Sequence, residues 1–348
     1  MTHRYDVQDL IAFGIEALKA AELPDEPAGA VARGLVEADL FGHNTHGLAL
    51  LADYIEELRS GAMQSQGKPQ VRASFGAVEC WDARRLPGIW TTKLAIEAAT
   101  SRAEAQGAGI IAVRHSHHIA CLATFLEEPA RKGFLVLVLT SDPSVRFVAP
   151  FGGTTPVLTP NPIAAGIPAD PDPIILDIST SITTAGMCQR SKAAGSRLQG
   201  QWLIGPDGQP TDDPSVFGTG GALLPIGGLD HGHKGFALGL LVECLTQGLS
   251  GYGRADDVQD WGAAVLVMAF KPAAFGSPAE FDRQVQWIAN ACRNATPVDP
   301  NRPVRLPGES AFVRRRLALA EGIELHPTIM PKLEKLALSL GIDLPDSR

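Results

Sequence analysis

The stretch GAGIIAVRHSHHIACLATFLEEPARKG, residues 107–133, carries a nucleotide-binding pattern in the wrong structural context. Its first six residues fit the loose fingerprint G-x-G-x-x-A, which requires a strand before the glycines and a helix after them. Here a helical pattern over 90–106 precedes the glycines, and the apolar run GIIAVRH follows them. Because the order is reversed, the sequence argues against a Rossmann fingerprint at this place.

Outward from this stretch, short β-type runs alternate with helical patterns. The runs lie at 69–75, 77–82, 109–114, 134–140, 173–178 and 263–270. The helical patterns lie at 90–106, 119–132, 183–195, 233–248 and 279–295. The segment 150–173 is rich in Gly and Pro and is expected to be irregular. This alternation predicts an α/β fold, a mixed β-sheet flanked by helices with a non-Rossmann topology.

Both ends of the chain have helical periodicity instead. Apolar residues recur at helical spacing over 6–21 and 27–42, and a third helix is expected from Asn44 or Thr45 to Gly61. Two further helices follow Pro303 and are expected to pack on the N-terminal ones. We therefore predict a helical region built from 1–68 and 300–348, and a mixed-sheet domain over 69–299.

The composition excludes several classes of protein. The net charge of -8 argues against a nucleic-acid partner, since phosphate backbones require clustered Lys and Arg. The longest apolar run, FLVLVL at 134–139, is far too short to span a bilayer, and the polar N-terminus does not resemble a signal peptide. Five scattered cysteines with no C-x-x-C pair predict a reduced, cytoplasmic protein.

His46 is the first candidate for chemistry. It falls in the first turn of the third predicted helix, off the apolar stripe and on the same face as Leu50 and Tyr54. Histidine has an unperturbed pKa of about 6.5, so it can exchange a proton near neutral pH. By spacing alone, His46 is either a residue of the helix start or an imidazole directed into a cleft.

Three histidines in four residues, His115, His117 and His118, allow two further hypotheses. The helix expected after them could bind an anion at its N-terminus. Alternatively, the rings could bind zinc, as in a hydrolase. No further ligand stands at a telling spacing, so we predict no metal site.

Three other stretches have both a structural and a functional interpretation. Asp177 ends a buried strand before a hydroxyl-rich turn, and its carboxylate could cap the next helix or bind ribose hydroxyls. Lys234 lies in the glycine-rich stretch GGLDHGHKG, where it could bind an anion or stay solvated. Arg305 and Glu309 flank a Pro-Gly turn that, on its own, is a loop ahead of a helix.

In this order, these stretches resemble the malate/L-lactate dehydrogenase-type NAD(P)-dependent oxidoreductases. This non-Rossmann family includes Δ1-piperideine-2-carboxylate/Δ1-pyrroline-2-carboxylate reductases, ureidoglycolate dehydrogenase and 2,3-diketogulonate reductase. The resemblance covers nearly the whole chain. The motifs that carry it are THG (45–47), SHHIACL (116–122), PNPIA (160–164), LDISTS (176–181), DGQPTDDP (207–214), GGALLPIGG (220–228), HKG (233–235) and LPGE (306–309).

The resemblance implies roles for individual residues. His46 matches the family's general acid, and Thr45 is expected to orient its ring. It also implies a homodimer in which the helical region serves substrate binding and dimerisation, while the mixed-sheet domain binds NAD(P), with NAD or NADP left open. The implied cofactor contacts are His118, Ile119, Ala120, Cys121, Leu122, Asp177, Ile178, Ser179, His233, Lys234, Arg305, Leu306, Pro307, Gly308 and Glu309.

The chain departs from the family at its candidate substrate positions. Leu50 replaces an arginine that clamps the substrate carboxylate in many members, so another arginine, Arg190 or Arg146, would have to approach the site. Pro160 replaces the threonine of a TNP motif. Ala185, Gly186 and Met187 stand where the imine reductases have an HGD triplet.

The resulting hypothesis is an enzyme that interconverts a 2-hydroxy acid and a 2-oxo acid with NAD(P). The alternative is an NADPH-dependent reductase of cyclic imino acids. More distant alternatives are a non-catalytic cofactor-binding relative and a zinc hydrolase.

Overall fold

The computed structural model describes residues 3–348. In this part of the chain the α-helices are α1 (Val7–Ala20), α2 (Asp25–Phe41), α3 (Leu51–Ser60), α4 (Gly88–Gln106), α5 (Glu127–Arg131), α6 (Ala185–Ala193), α7 (Gly228–Glu243), α8 (Pro278–Arg293), α9 (Glu309–Glu321) and α10 (Met330–Leu340). The strands are β1 (Arg4–Tyr5), β2 (Gln70–Phe75), β3 (Val78–Asp82), β4 (Ala108–Ser116), β5 (Leu135–Ser141), β6 (Ile163–Ile167), β7 (Ile174–Ile178), β8 (Leu203–Ile204), β9 (Pro210–Thr211), β10 (Ala222–Leu223), β11 (Ala263–Phe270) and β12 (Ile323–Glu324).

The centre of the molecule is a seven-stranded sheet in the order β2-β3-β4-β11-β5-β6-β7. Strand β11 pairs antiparallel with β4 and with β5, and it is buried along most of its length. Within this sheet only the β3–β4 pair is parallel. A Rossmann sheet is mostly parallel, so the predicted mixed sheet with non-Rossmann topology is confirmed.

The chain's two ends form one helical body beside the sheet. Helices α1, α2 and α3 share a buried core with α10, and β1 pairs antiparallel with β12. Helix α9 packs on α2, where Phe312 contacts Phe41 edge to face. The predicted packing of the C-terminal helices on the N-terminal ones is therefore correct.

Three local predictions were wrong. The third helix begins at Leu51 rather than at residue 44 or 45, and His46 lies in the turns before it, so it does not share a helix face with Leu50 and Tyr54. The helix predicted over 119–132 is extended as far as Cys121 and forms only short turns and α5. The segment 150–173 is not wholly irregular, because it contains β6.

These errors have physical causes. In the 119–132 segment, Ala120 has a left-handed φ of 57° and the N–H of Ala123 donates to the carboxylate of Asp177, so a helix cannot start earlier. Strand β6 lies between β5 and β7, and the ladder with these neighbours imposes extended backbone on a segment bounded by prolines. Within residues 3–348, no helix combines the length and apolarity that crossing a bilayer requires.

Candidate active site

A cavity of about 430 Å³ lies between the helical body and the edge of the sheet. The turn after α2 lines one side of it, and the loop after β4 lines another. The end of β7 and the start of α6 form a third side, and residues from the segments 140–147, 159–162 and 261–263 complete the wall. Among the candidate residues, the cavity is lined by Thr45, His46, His118, Ile119, Ala120, Cys121, Leu122, Pro160, Asp177, Ser179, Ala185 and Gly186.

His46 lies in a turn that a buried carboxylate holds in place. The Asp39 carboxylate, on α2, accepts a hydrogen bond from the N–H of Leu48 at 2.7 Å. A Cβ on Gly47 would lie only 2.3 Å from this carboxylate group, so glycine is required by the close approach. Asp39 therefore fixes the backbone at Gly47 and Leu48, the two residues that follow His46.

The surroundings of His46 favour its neutral form. Burial lowers the pKa of the imidazole, and the neighbouring His43 and Arg190 act in the same direction, while Asp177 opposes them. The Thr45 hydroxyl shares a hydrogen bond with Nδ1 of His46 at 2.9 Å. Nε2 is therefore the nitrogen left to exchange a proton with a bound molecule.

Asp39 is itself perturbed. Burial raises the pKa of its carboxyl to about 7, although the hydrogen bond from Leu48 opposes this shift. Its Oδ1 has no hydrogen-bond partner among residues 3–348. Because this carboxyl is partly protonated near neutral pH, it can be neutral in its apolar surroundings, which avoids the free-energy cost of a buried charge.

The three neighbouring histidines do not converge on one point. Nδ1 of His115 lies 3.0 Å from the Asp82 carboxylate, and Nε2 of His117 lies 3.1 Å from that of Glu57. Nδ1 of His118 lies 2.9 Å from the Tyr54 hydroxyl. Each ring has its own partner, on β3 for His115 and at two separate residues of α3 for His117 and His118, so these rings do not form a shared metal shell. The expected anion site is not formed either, because no regular helix begins at this loop.

His118 forms part of the cavity wall with His46. Its ring stacks on that of Trp261, with centroids 4.7 Å apart, and lies 5.9 Å from the ring of His46. Burial and the neighbouring rings of His46 and His117 hold its pKa well below the usual range. His118 is therefore a neutral, oriented ring rather than a charge beside His46.

Asp177 closes the cavity floor. Its Oδ2 accepts hydrogen bonds from the Ala123 N–H at 2.9 Å and from the Cys121 thiol at 3.6 Å. A ligand atom of His43 lies within 4.8 Å of both side chains. Burial and this carboxylate raise the pKa of the thiol well above its usual range, so Cys121 is a protonated donor here.

The remaining cofactor candidates lie elsewhere. Ile178 is exposed, because alternate residues of β7 face opposite sides. Arg305 and Glu309 line a second cavity of about 590 Å³ together with Arg293 and Arg314. Leu306, Pro307 and Gly308 form the turn beside it, and the Pro307 carbonyl accepts from the Ile175 N–H. His233 and Lys234 are exposed on α7 and line neither cavity.

Leu50 is the substrate candidate that the structure does not bring to the cavity. It packs against the helical core, since the late start of α3 removes the one-turn spacing from His46. Conversely, the cavity contains residues that sequence reasoning missed, namely His43, Asp142, Thr159, Asn161 and Trp261. Of these, His43 and Asn161 had a signal, because His43 stands in the same HNTHG stretch as His46 and Asn161 stands in the PNPIA motif.

A half-buried imidazole that lines a cavity of polar and apolar walls is an arrangement typical of an enzyme that moves a proton. Comparison with known proteins places the enzyme in a family. The family model described as malate/L-lactate dehydrogenase matches residues 5–334. The chain belongs to this family, and it is an NAD(P)-dependent oxidoreductase.

The chain is similar to several characterised proteins along most of its length. It is 32% identical to an L-lactate dehydrogenase of Cupriavidus necator, over 95% of this chain and 96% of that protein. It is 30% identical to a Δ1-pyrroline-2-carboxylate reductase of Ancylobacter novellus, over 92% and 94% respectively. A malate dehydrogenase structure from Entamoeba histolytica superposes with a TM-score of 0.93 at 23% identity, over 99% of this chain and all of that one, which shows the shared fold.

The residues present fit a nicotinamide dinucleotide. The cavity has the size of a small-molecule site, and apolar side chains such as Ile119 and Leu122 face polar ones, as a flat ring joined to a ribose requires. The second cavity is lined by four arginines and two acids, which suits phosphate groups. Gly308 lies against Ile175 of β7, two residues before Asp177, so the two cavities adjoin the same strand.

Proposed function

We propose that the enzyme interconverts a 2-hydroxy acid and the corresponding 2-oxo acid, with His46 as the proton donor and acceptor. The observation that carries this proposal is the position of His46. Its ring is half-buried, is held by Thr45, and lines one cavity with the 118–122 loop and Asp177. Similarity to an L-lactate dehydrogenase supports the substrate class.

The bound dinucleotide supplies or accepts the hydride at C4 of its nicotinamide. During reduction, the His46 imidazolium gives its Nε2 proton to the developing alkoxide of the substrate. During oxidation, the neutral ring takes that proton back. The Thr45 hydroxyl holds Nδ1, and His118 and Trp261 form a flat wall that keeps water from one side of the cavity.

The cofactor contacts follow from the two cavities. We assign the nicotinamide half to the cavity lined by His118–Leu122, Asp177 and Ser179, and the phosphates to the one beside Arg305–Glu309. Ile178 is exposed and lines neither cavity, so it is assigned to the cofactor from the family resemblance alone. His233 and Lys234 are assigned to the cofactor from the family resemblance alone.

The second candidate is reduction of a cyclic imino acid, for which the same proton would go to an amine nitrogen. The similarity to a Δ1-pyrroline-2-carboxylate reductase favours it. Met187 is 43% exposed at the position where imine reductases have a supporting aspartate. The proton donor therefore lacks that carboxylate here, which is why we rank the oxo acid first.

We further infer a cytoplasmic homodimer divided into a helical region (1–68 and 300–348) and a cofactor-binding sheet domain (69–299). The surface of α7 supports the dimer, because Leu238, Leu240 and Leu241 on this helix are 40%, 49% and 50% exposed. Helix α7 lies in the sheet domain, so we assign the dimer contact there rather than to the helical region that the resemblance implied. Leucines exposed together on one helix are typical of a surface that a partner covers. A second copy of the chain would bury them.

The test is to follow the absorbance of NADH and of NADPH with purified protein and a panel of 2-oxo acids and cyclic imino acids. We expect turnover of at least one 2-oxo acid and stronger turnover of oxo acids than of imines. Turnover of imines alone would favour the second candidate. Binding of cofactor without turnover of any panel member would overturn both.

A further inference from the structure

The cavity around His46 lacks a permanent cation. Its described lining residues include the carboxylates of Asp142 and Asp177 but neither lysine nor arginine. A 2-oxo or 2-hydroxy acid would bring a further negative charge into this partly dry space, and an unpaired buried carboxylate is costly. Position 50 is a leucine that packs into the helical core, so the cation must come from another element.

Helix α6 brings an arginine to this place. Its first turn lies against the catalytic turn, since a Cβ on Gly186 would be 3.0 Å from Cγ2 of Thr45. Arg190 stands four residues later and therefore lies on the same face of α6. Its side chain is half-buried, and its guanidinium has no ion pair or hydrogen bond with any of residues 3–348.

The effect of Arg190 on the pKa of three neighbouring groups also indicates where its guanidinium lies. It lowers the pKa of His46 and of His326, and it opposes the raised pKa of Asp39. These three groups lie on separate elements: the turn after α2, the segment before α10, and α2 itself. Arg190 is thus near the point where the helical body meets α6, beside His46.

Other arginines near the cavity are less suitable. Arg254 lies at its rim, but its guanidinium is fully engaged by Glu243 and by the carbonyl oxygens of Asp142 and Val145. Arg146 is exposed to solvent. Arg190 alone among these three combines partial burial, a free guanidinium and a position on the face of α6 that contacts Thr45.

We propose that Arg190 binds the substrate carboxylate and takes the place of the arginine that position 50 lacks. This inference rests on the proposed function and names the residue that selects for acidic substrates. A guanidinium pairs with a carboxylate through two parallel hydrogen bonds, which would also fix the orientation of the reacting carbon towards His46.

One consequence follows for catalysis. The titratable and charged groups that act on His46 are Asp177, His43 and Arg190, with the neutral ring of His118 beside them. Pairing Arg190 with a carboxylate removes one of the cations that disfavour the imidazolium. Substrate binding therefore favours protonation of the general acid, and only substrates with an acid group provide this effect.

The test compares Arg190→Ala and Arg190→Lys with the matched control Lys192→Ala. Lys192 carries the same charge on the same helix but points about 200° away around its axis and is exposed. The substrates are the most active 2-oxo acid of the panel and its neutral amide. For the acid, we expect Arg190→Ala to raise KM by about 10- to 100-fold, the effect of losing a charged hydrogen bond. KM for the amide should stay within twofold in every variant.

A second readout separates this role from a structural one. In Arg190→Ala, the pH above which kcat/KM for reduction declines should move upward, because a cation near His46 has been removed. Arg190→Lys should reverse part of the rise in KM and should recover the wild-type pH profile. An equal rise in KM for acid and amide, or an unchanged KM for the acid, would overturn the inference while leaving the proposed function intact. Absence of any turnover by the wild type would overturn both.

Discussion

The rings around His46 and those on α7 show two uses of histidine in one chain. His46 and His118 are half-buried, and each has a hydrogen-bond partner that fixes the ring. His231 and His233 on α7 are exposed, and neither ring has a hydrogen-bond partner among residues 3–348. Both pairs stand in histidine-rich stretches that look alike in sequence. Burial and a fixed partner, rather than residue type, make an imidazole a catalytic candidate.

The comparison also bears on the proposed homodimer, because α7 exposes leucines beside the histidines and Lys234. An exposed apolar surface of this kind is typical of an interface. The inner site is shaped by contacts within the chain, whereas in the proposed dimer a partner would cover the surface of α7.

The largest effect is expected at the inner site. His46→Gln should lower turnover by about 10²- to 10⁴-fold, the scale of a positioned acid, because glutamine cannot give up a proton. Binding of NAD(P)H, followed by its fluorescence, should be unchanged, since the 118–122 loop and Asp177 are intact. His231→Gln on α7 is the matched control, because His231 is exposed and has no assigned role; an equal loss of turnover there would contradict the distinction between the two regions.

The turn that holds His46 is the next most sensitive feature. Gly47→Ala places a methyl group against the buried Asp39 carboxylate and should cost about 1–3 kcal/mol of stability, because the close approach must open. Turnover should also fall, since His46 directly precedes Gly47, whose backbone would be displaced. Denaturant unfolding and activity would measure both effects. Gly276→Ala, whose Cβ would meet only ordinary contacts, should change neither.

The pH dependence of stability distinguishes buried rings from exposed ones. Burial lowers the pKa of His117 to about 4, against about 6.5 in the unfolded chain. Between these values the unfolded state binds more protons, so this contribution to stability is lost as the pH falls from 6.5 towards 4. His117→Gln should therefore reduce the stability lost between pH 7 and pH 5 by about 2 kcal/mol.

Comparing variant with wild type isolates His117, because the opposite contribution of Asp39, whose pKa is raised, is common to both proteins. Denaturant titrations at the two pH values give the difference. The exposed His231 provides the control: between pH 7 and pH 5, His231→Gln should lose as much stability as the wild type does. An identical pH dependence for His117→Gln and wild type would show that His117 is not buried in its neutral form.

The smallest effect is expected on the surface of α7. Leu241→Glu should weaken self-association by at least about tenfold, since a charge would replace an apolar side chain in the proposed dimer contact. Light scattering over a concentration series measures this. Leu338→Glu is the control, because Leu338 is 87% exposed on α10, away from the proposed surface. If the wild type were a monomer at all concentrations, the proposed homodimer would be contradicted.

The sheet was predictable from the sequence, while the geometry around His46 was not. Strands β4, β5 and β11 are short apolar runs whose burial leaves a local pattern. The turn before α3 instead depends on Asp39, whose carboxylate takes the N–H of a residue in the next segment. No local rule indicates that bond, so spacing alone favoured an earlier helix.

The same reason explains which site residues were missed. The family motifs brought together His46, the 118–122 loop and Asp177, because each motif is contiguous in sequence. Trp261 joins them only through the sheet, since it precedes β11, which lies beside β4. The contribution of Arg190 likewise depends on how α6 packs against Thr45, and no local sequence pattern indicates this packing.

The most direct test of the central claim, that His46 passes the proton, is the pH profile of kcat/KM in both directions. With wild type, reduction should fall about tenfold per pH unit above a pKa below 6.5, and oxidation should lose activity below that pKa. His46→Gln should lose both limbs and keep a flat residual rate. Retention of the same limbs in the variant would show that another group moves the proton.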